Sequence, residues 1–534
     1  MGNQWKILVT ERIAEEGIEM LKQEADVHVD FELSSDEKRP ELLKEIKNYD
    51  AIIVRSKTKI DRELFDASEN LKVVGRAGNG IDNIEVKEAT KRGVVVANTP
   101  DSNTISAAEL AIGLLIAQSR NISQANTYIK SGKWERNKFK GSELYGKVLG
   151  IVGLGRIGSL VATRMQSFGM KVIGYDPYIQ DERFKRFNVE KKDALDKLIK
   201  ESDFISVHTP RTEETMGMIG EDEIEIMKEG VRLVNAARGG IISEQAILKG
   251  IKNGKIASAG IDVHEVEPCY DNPLYEYDNV IVTPHIGAST LEAQQNVGVT
   301  IANQVISALK GEVVTNAVNL PTLNRDELIT TKPYIDLMDK LGGIYYQLYN
   351  DPVEKVEISY YGNVARQETD MATIAFLKGL LSPVVGEHVN YVNAKMLAEQ
   401  RGIALKENKK MDVFNGYTQL ITVKVRGKNK TFTISGNLSS KNEGKIVEIE
   451  GYEVDVEPSE FMIFVQNIDV PGVIGKIGTT LAIENVNIAK MQVGRNKPGE
   501  RALMLLNVDD IVSKDTLDAL TKVENVIWAK AVRL

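Results

Sequence analysis

The amino-acid sequence predicts an α/β chain: two doubly wound lobes, the first of them discontinuous, followed by two smaller α+β modules. Three observations lead there. At roughly 150 residues per domain, 534 residues are too many for one core and suggest three or four. Over the first three-fifths, short β-branched runs alternate with amphipathic stretches, the pattern of βαβ units around parallel sheets. The last roughly 75 residues read strand, helix, strand, strand, helix, strand, a ferredoxin-like βαββαβ order.

In chain order, the first lobe takes strands near 7–10, 27–31, 51–54, 72–75 and 94–97. After Thr99-Pro100 an apolar helix is expected over 106–118, and the strand pattern restarts at Lys147. The second lobe has six expected strands, near 148–152, 171–175, 204–207, 232–235, 258–262 and 280–283, as a dinucleotide-binding sheet requires. A helix over 291–309 and the stretch 316–319 then return the chain to the first lobe. The expected domains are therefore 1–99 with 290–319, 100–289, 320–456 and 457–534. Within 320–456 the reading finds a helix at 337–348, a strand at 356–360, and polar β segments over 418–456 with turns at Gly427, Gly436, Gly444 and Gly451.

Composition narrows the function. Lys+Arg 67 against Asp+Glu 76 leave a net charge of −9, with no broad positive field for nucleic acid or anionic membrane. The single cysteine, Cys269, cannot form an intramolecular disulfide and reads as a small loop residue. With no apolar run near the roughly 20 residues that span a bilayer, a cytoplasmic protein without a targeting segment is expected.

The strongest chemical signal is Gly153-Leu154-Gly155-Arg156-Ile157-Gly158, directly after a strand and opening a helix. Gly153 permits the tight turn, Gly155 the approach of backbone N–H groups to a pyrophosphate, and Gly158 close helix-on-strand packing. Asp176 ends the next strand, 23 residues after Gly153, where a carboxylate accepts hydrogen bonds from a ribose diol and repels a 2′-phosphate. NAD is favoured over NADP. Arg238, at the carboxyl end of a strand and before Gly239-Gly240, can grip a carboxylate in a planar, bidentate way. Of five histidines, His285 follows the last strand of the second lobe, and Glu267 precedes it where a carboxylate can fix its tautomer. His208 is read as lining the cofactor site without titrating. His28 and His388 are read as surface or structural positions.

These segments, with Gly75-Arg76-Ala77-Gly78-Asn79-Gly80-Ile81-Asp82-Asn83, Asn235-Ala236-Ala237-Arg238-Gly239-Gly240 and Thr283-Pro284-His285-Ile286-Gly287-Ala288, resemble the D-2-hydroxyacid dehydrogenase family. The resemblance covers the whole chain in the family's long form, in which two Rossmann-like lobes precede an intervening domain and an ACT module. It implies NAD-dependent oxidation of 3-phosphoglycerate to 3-phosphohydroxypyruvate, the first step of serine synthesis. His285 would be the base, Glu267 its partner and Arg238 the carboxylate ligand. The resemblance further implies NAD contacts at Asn79, Gly153, Gly155, Arg156, Ile157, Gly158, Asp176, Thr209, Ala236, Arg238, Asp262, His285 and Gly287. For the substrate it implies Arg55, Arg76, Asn79, Gly80 and Arg238, with Arg136 reaching in from a neighbouring subunit. In the tail, Asn467, Asp469 and Asn487 match effector positions for L-serine, although some relatives carry His and Asn at the first two. That departure leaves serine inhibition open beside a purely assembling role. A homo-oligomer, dimer or tetramer, is implied, and no metal. Two other readings stay open: a dehydrogenase for another 2-hydroxy or 2-oxo acid such as hydroxypyruvate, glyoxylate or 2-oxoglutarate, and an NAD(H)-sensing partner-binding protein.

Overall fold

The computed structural model describes residues 5–100, 102–321, 323, 325–386 and 388–534. Strands β1 (Lys6–Val9), β2 (Asp26–Val29), β3 (Ala51–Val54), β4 (Val73–Arg76) and β5 (Val95–Asn98) form an all-parallel sheet ordered β2-β1-β3-β4-β5. β1, β3 and β4 are nearly continuous apolar runs because helices cover both faces of a parallel sheet. One face carries Ile7, Val9, Ile53 and Val73 against Val297, Ile301 and Val305 of the helix Leu291–Leu309. The other carries Leu8, Ile52, Val54 and Val74 against Leu42 and Leu64.

That long helix comes from the far side of the second sheet. It crosses the helix Glu15–Lys22 so closely that a Cβ on Gly17 would lie 2.5 Å from the Gly298 carbonyl oxygen. The chain after it runs along β5: Ala317 bridges Ala97, Val318 N donates to Val96 O at 2.6 Å, and Asn319 Oδ1 accepts from Val96 N at 3.0 Å. Residues on both sides of the second sheet thus build one layer.

The second sheet is also parallel, with β6 (Val148–Val152), β7 (Lys171–Tyr175), β8 (Glu190–Lys191), β9 (Phe204–Val207), β10 (Val231–Asn235), β11 (Ile256–Ile261) and β12 (Val280–Val282) in the order β12-β11-β10-β9-β6-β7-β8. The reversal beside β6 is a topological switch point, where such sheets bind ligands. β8 is a seventh strand that the sequence reading omits; two charged, exposed residues carry no hydrophobic period. The helix Thr104–Ser119 packs on β10 and β11, and buried Gln118 ties it down by donating to Leu233 O at 3.3 Å and accepting from Ser258 Oγ at 2.8 Å.

The third sheet is mixed: β13 (Val353–Gly362), β14 (Ala404–Lys410), β15 (Gln419–Gly427), β16 (Thr431–Leu438), β17 (Gly444–Ile449) and β18 (Tyr452–Val456), ordered β14-β13-β15-β16-β17-β18, with only β13 and β14 parallel. The helices Arg325–Leu348 and Asp370–Val385 meet backbone to backbone, for a Cβ on Gly379 would stand 2.0 Å from Asp339 O. The sequence reading starts the first helix at 337 and omits the second, together with β14. Asp370–Val385 is apolar nearly all round, so it has no amphipathic signature, while β14 is mostly lysine and polar side chains.

β19 (Phe461–Ile468), β20 (Ile488–Arg495), β21 (Arg501–Val508) and β22 (Val526–Arg533), with the helices Val473–Ile483 and Lys514–Thr521, complete the βαββαβ unit in the antiparallel order β20-β21-β19-β22. Alternation along its strands sends Ile463, Val465, Met504 and Leu506 to its own helices. Met462, Phe464, Leu503, Leu505 and Val532 join the core of the third domain. The last two domains therefore share one apolar core. Among the described residues, no helix is long and apolar enough to cross a membrane, and no group of three or more metal-ligating side chains occurs.

Candidate active site

The chemistry-bearing residues collect where the carboxyl ends of the two parallel sheets face each other. At β6 the chain turns sharply into the helix Arg156–Gln166, which Arg156, Ile157 and Gly158 open. Gly153 has φ 93° and its N–H donates to Tyr175 O at 2.9 Å; a side chain there would strike the His208 carbonyl at 2.8 Å. A Cβ on Gly158 would lie 2.1 Å from Gly153 O, whereas one on Gly155 would meet nothing within 4 Å. The turn is closed toward the protein and open toward the cleft.

Asp176 follows β7. Its Oδ2 accepts from Leu154 N at 2.9 Å and its Oδ1 from Tyr178 N at 3.1 Å, so the carboxylate is oriented while each oxygen keeps a lone pair for a further donor. Thr209 presents a buried Oγ1 with no partner. A buried hydroxyl without a hydrogen bond costs free energy unless a bound molecule satisfies it. The His208 ring lies 2.8 Å from Ser206 Oγ, and desolvation pushes it down to about 4, which keeps it neutral near pH 7. The open Gly155, the oriented Asp176 and the orphaned Thr209 hydroxyl suit a dinucleotide.

His285 and Glu267 meet directly, Nδ1 to Oε2 at 2.7 Å. The other oxygen of Glu267 accepts from His264 N at 3.0 Å. Burial pushes the Glu267 carboxyl up, but the hydrogen bonds from His285 and His264 outweigh it and hold the group below the ordinary glutamate value. His285 adopts φ 53°, uncommon for a residue with a side chain. Asp262 imposes that turn. Fully buried, it accepts from Thr283 Oγ1 at 2.6 Å, Ile286 N at 2.8 Å and Gly287 N at 2.9 Å, while its carbonyl takes the His285 N–H at 2.9 Å. Both carboxylate oxygens of Asp262 are thus engaged by the protein itself, and Gly287 is one of the donors.

Arg238 stands on the turn after β10, beyond Ala236. Asn235 shapes that turn, its side chain donating to Arg238 O at 2.9 Å and accepting from Ala237 N at 3.1 Å. The guanidinium crosses to the first lobe, with Nε 3.6 Å from Asp82 Oδ2 and Nη2 2.3 Å from where a Gly80 Cβ would be. Glycine at 80 is a steric condition for that reach. Asn79, exposed beside it, accepts through its carbonyl from Asn98 Nδ2 at 2.7 Å.

Arg76, at the end of β4, lies against Gly78, where a Cβ would be 1.6 Å from its Nη1. No hydrogen bond from its guanidinium to another group occurs among the described residues, and its Nε is buried without a partner. Desolvation first, then the charges of Arg238 and Arg55, push it down from 12.5 to about 10. Arg55 is held by backbone: its N–H donates to Glu11 Oε1 at 2.8 Å, and Glu11 also receives the N–H groups of Lys57 and Thr58. Three arginines from two lobes therefore surround space with a deficit of negative charge. Arg136 sits in an exposed 3-10 turn, Arg136–Phe139.

In the last module the three expected effector residues are not hydrogen-bonded to one another. Asp469 Oδ2 accepts from Arg495 at 3.0 Å and Asn487 Nδ2 donates to Asp509 at 2.6 Å. Asn467 is buried, with Nδ2 on Ile468 O at 2.8 Å and Oδ1 unpartnered.

The sequence reading missed Glu11 and Asn235. A carboxylate just past the buried strand β1, and an asparagine ending a buried strand before a tight turn, are the signals that mark them.

Residues 112–287 match the family of D-isomer specific 2-hydroxyacid dehydrogenases through its NAD binding domain. Residues 330–450 match the D-3-phosphoglycerate dehydrogenase intervening domain, and 461–525 the ACT domain. The chain is 43% identical over 521 residues to the D-3-phosphoglycerate dehydrogenase of Methanocaldococcus jannaschii, covering 98% of each chain. It is 44% identical to that of Archaeoglobus fulgidus and 42% to that of Bacillus subtilis, each over 99% of this chain and 100% of the relative. Among solved structures, a D-lactate dehydrogenase from Aquifex aeolicus complexed with NAD and lactic acid aligns with TM-score 0.54 at 28% identity, over 59% of this chain and 100% of that one. A glyoxylate reductase from Paecilomyes thermophila aligns with TM-score 0.55 at 30% identity, over 59% and 98%.

Proposed function

Since the chain belongs to the D-3-phosphoglycerate dehydrogenases, within the D-isomer specific 2-hydroxyacid dehydrogenases, we propose that its cleft oxidises 3-phospho-D-glycerate to 3-phosphohydroxypyruvate as the entry to serine synthesis. The chain is an NAD-dependent oxidoreductase. The observation that carries the choice of substrate is half-buried Arg76, whose buried Nε has no partner and whose guanidinium feels the charges of Arg55 and Arg238. Glu11 and Asp82 offset these charges only in part, and a strongly anionic ligand lowers the remaining cost of holding the cations together. A substrate with a carboxylate at one end and a phosphate at the other brings that charge.

The residues divide the work as follows. Arg238 holds the carboxylate, with the backbone at Asn79 and Gly80 on its far side. Arg55 and Arg76 take the phosphate, which fixes the reacting carbon between them and His285. His285 accepts the hydroxyl proton, and Glu267 stabilises the imidazolium that results and fixes its orientation. Bound NAD would supply the acceptor for the hydride that leaves the same carbon. Gly153, Gly155, Gly158 and the start of the helix Arg156–Gln166 cradle the pyrophosphate, Asp176 the ribose, and Thr209, His208 and Ala236 the remaining wall of the cofactor site. In this reading Asp262 and Gly287 serve through the loop that carries His285.

We assign residues 1–99 with 290–319 to substrate binding, 100–289 to NAD binding, 320–456 to the intervening domain and 457–534 to amino-acid sensing. The unpartnered Oδ1 of Asn467 supports a polar effector there, L-serine, in a homo-oligomer that pairs these modules. NADH formation decides the matter, measured with 3-phosphoglycerate, glycerate and 2-hydroxyglutarate at alkaline pH, with and without millimolar L-serine. Marked preference for 3-phosphoglycerate supports the reading; turnover confined to unphosphorylated acids rejects the phosphate site, and binding of NAD without any turnover rejects the enzyme.

A further inference from the structure

Beneath the His285–Glu267 pair lies a second histidine–carboxylate contact that the reaction outlined above does not use. Glu244 begins the helix Glu244–Lys252, capped by Ser243, whose Oγ accepts from Ala246 N. From there its side chain reaches the loop of Glu267. Oε1 accepts from His264 Nδ1 at 3.0 Å and from Glu265 N at 3.2 Å, and Oε2 accepts from Asn272 Nδ2 at 2.8 Å. In return, Glu244 N donates to Glu265 Oε1 at 2.9 Å. Both ends of the segment 264–272 are therefore tied to one helix terminus.

His264 is the link to the chemistry. Its ring is buried, with Tyr275 edge-on at 5.8 Å and its Nε2 3.5 Å from the Tyr275 hydroxyl. Its backbone N–H orients the Glu267 carboxylate that holds His285. Its carbonyl oxygen forms the floor of the Arg238 turn, since a Cβ on Gly239 would lie 1.8 Å from it. One residue thus touches the supports of both reactive side chains, and its own place is set by the bond to Glu244.

We propose that Glu244 and His264 form a positioning pair that keeps the Glu267–His285 couple and the Arg238 turn in register for hydride and proton removal. The proposal rests on the site reading above. The physical ground is that a reacting geometry held by loops is only as precise as the hydrogen bonds behind it, and displacements near 1 Å cost large factors in rate. A buried imidazole whose N–H loses its acceptor also leaves that loop with a polar group to re-solvate.

The test compares the wild-type enzyme with H264F, H264N and E244Q, with NAD varied at saturating 3-phosphoglycerate. H264F keeps a ring against Tyr275 and removes the donor; H264N restores a donor close to where Nδ1 stood. In H264F, kcat is expected to fall about tenfold or more with the NAD KM within about twofold of wild type. The isotope effect on kcat with substrate deuterated at C2 should grow, because the chemical step becomes slower relative to product release. H264N should recover most of the loss, and E244Q, which offers a single acceptor oxygen, should fall between. Quenching of protein fluorescence by NADH shows that each nucleotide lobe is folded. Wild-type kcat in H264F, or a loss that H264N shares in full, overturns the positioning role. If instead wild-type enzyme turns over no 2-hydroxy acid, or E267Q leaves kcat unchanged, the site reading itself has failed and the pair loses its purpose.

Discussion

Replacing Arg76 by methionine should make the free enzyme more stable and the enzyme–substrate complex weaker, an opposition that a structural arginine would not produce. The guanidinium is held near 10 rather than 12.5 by desolvation and by Arg238 and Arg55. At 1.36 kcal/mol per tenfold, that is ~3 kcal/mol of environment hostile to the cation. Methionine fills most of the space of the arginine stem, so lost packing returns about 1–2 kcal/mol of this. The net gain of about 1–2 kcal/mol should raise the melting temperature of the catalytic lobes by roughly 2–6 °C. In the complex the balance reverses. Losing one charge-assisted hydrogen bond to phosphate costs about 2–3 kcal/mol, so KM for 3-phosphoglycerate should rise roughly 30- to 150-fold. KM for glycerate, which lacks the phosphate, should change by less than about threefold. Inorganic phosphate at 100 times its dissociation constant should stabilise the wild type by about 2.7 kcal/mol and the variant far less. Scanning calorimetry with and without phosphate, alongside initial rates on both substrates, measures all of this. A melting temperature several degrees lower in R76M, with equal loss on both substrates, would falsify the argument, because Arg76 would then be paired with the protein rather than waiting for an anion.

Three further outcomes are expected. D176A should raise the NAD KM far more than it lowers kcat, since the proposed site puts the ribose, and not the reacting carbon, at this carboxylate; steady-state kinetics with NAD varied reads this directly. H285N should lower kcat by about 10²–10⁴-fold while NADH still binds, as removal of a general base predicts, and a fluorescence titration beside the rate assay separates the two. His208 is held at about 4 in the fold and returns to about 6.5 on unfolding. Between those values the unfolded chain binds the proton and the folded chain does not, so stability rises with pH from 4 to 6.5 by up to ~3 kcal/mol. H208N should flatten that part of the melting temperature–pH curve, and a slope as steep as the wild type's would show that other groups carry it.

Much of this protein is written in local sequence. The glycine turn at 153–158 and Asp176 beyond it lie within one βαβ unit, and each is defined by backbone needs a short segment cannot hide. The βαββαβ tail announces itself through strand alternation and turn residues. Where the pattern has no contrast, reading failed: the helix Asp370–Val385 is apolar and buried nearly all round from Met371 to Leu381, and β8 and β14 are too short or too charged to show an apolar face.

What only the tertiary structure decided are relations between segments far apart in the chain. Arg76 and Arg238 carry no mutual signal in the sequence, yet each lies within the other's electrostatic reach because the carboxyl ends of two separate sheets face one cleft. The buried Nε of Arg76 without an acceptor, the 2.7 Å contact of His285 with Glu267, and the grip of Glu244 on His264 depend on distances through space. So does the apolar core shared by the last two domains, where alternate residues of β19, β21 and β22 join the core of the third domain. Hydrophobic period and turn chemistry act over a few residues and can be read one segment at a time. Desolvation, ion pairing and close packing are set by whichever groups the completed fold brings within a few ångströms, and those exist only once both lobes have closed around the same space.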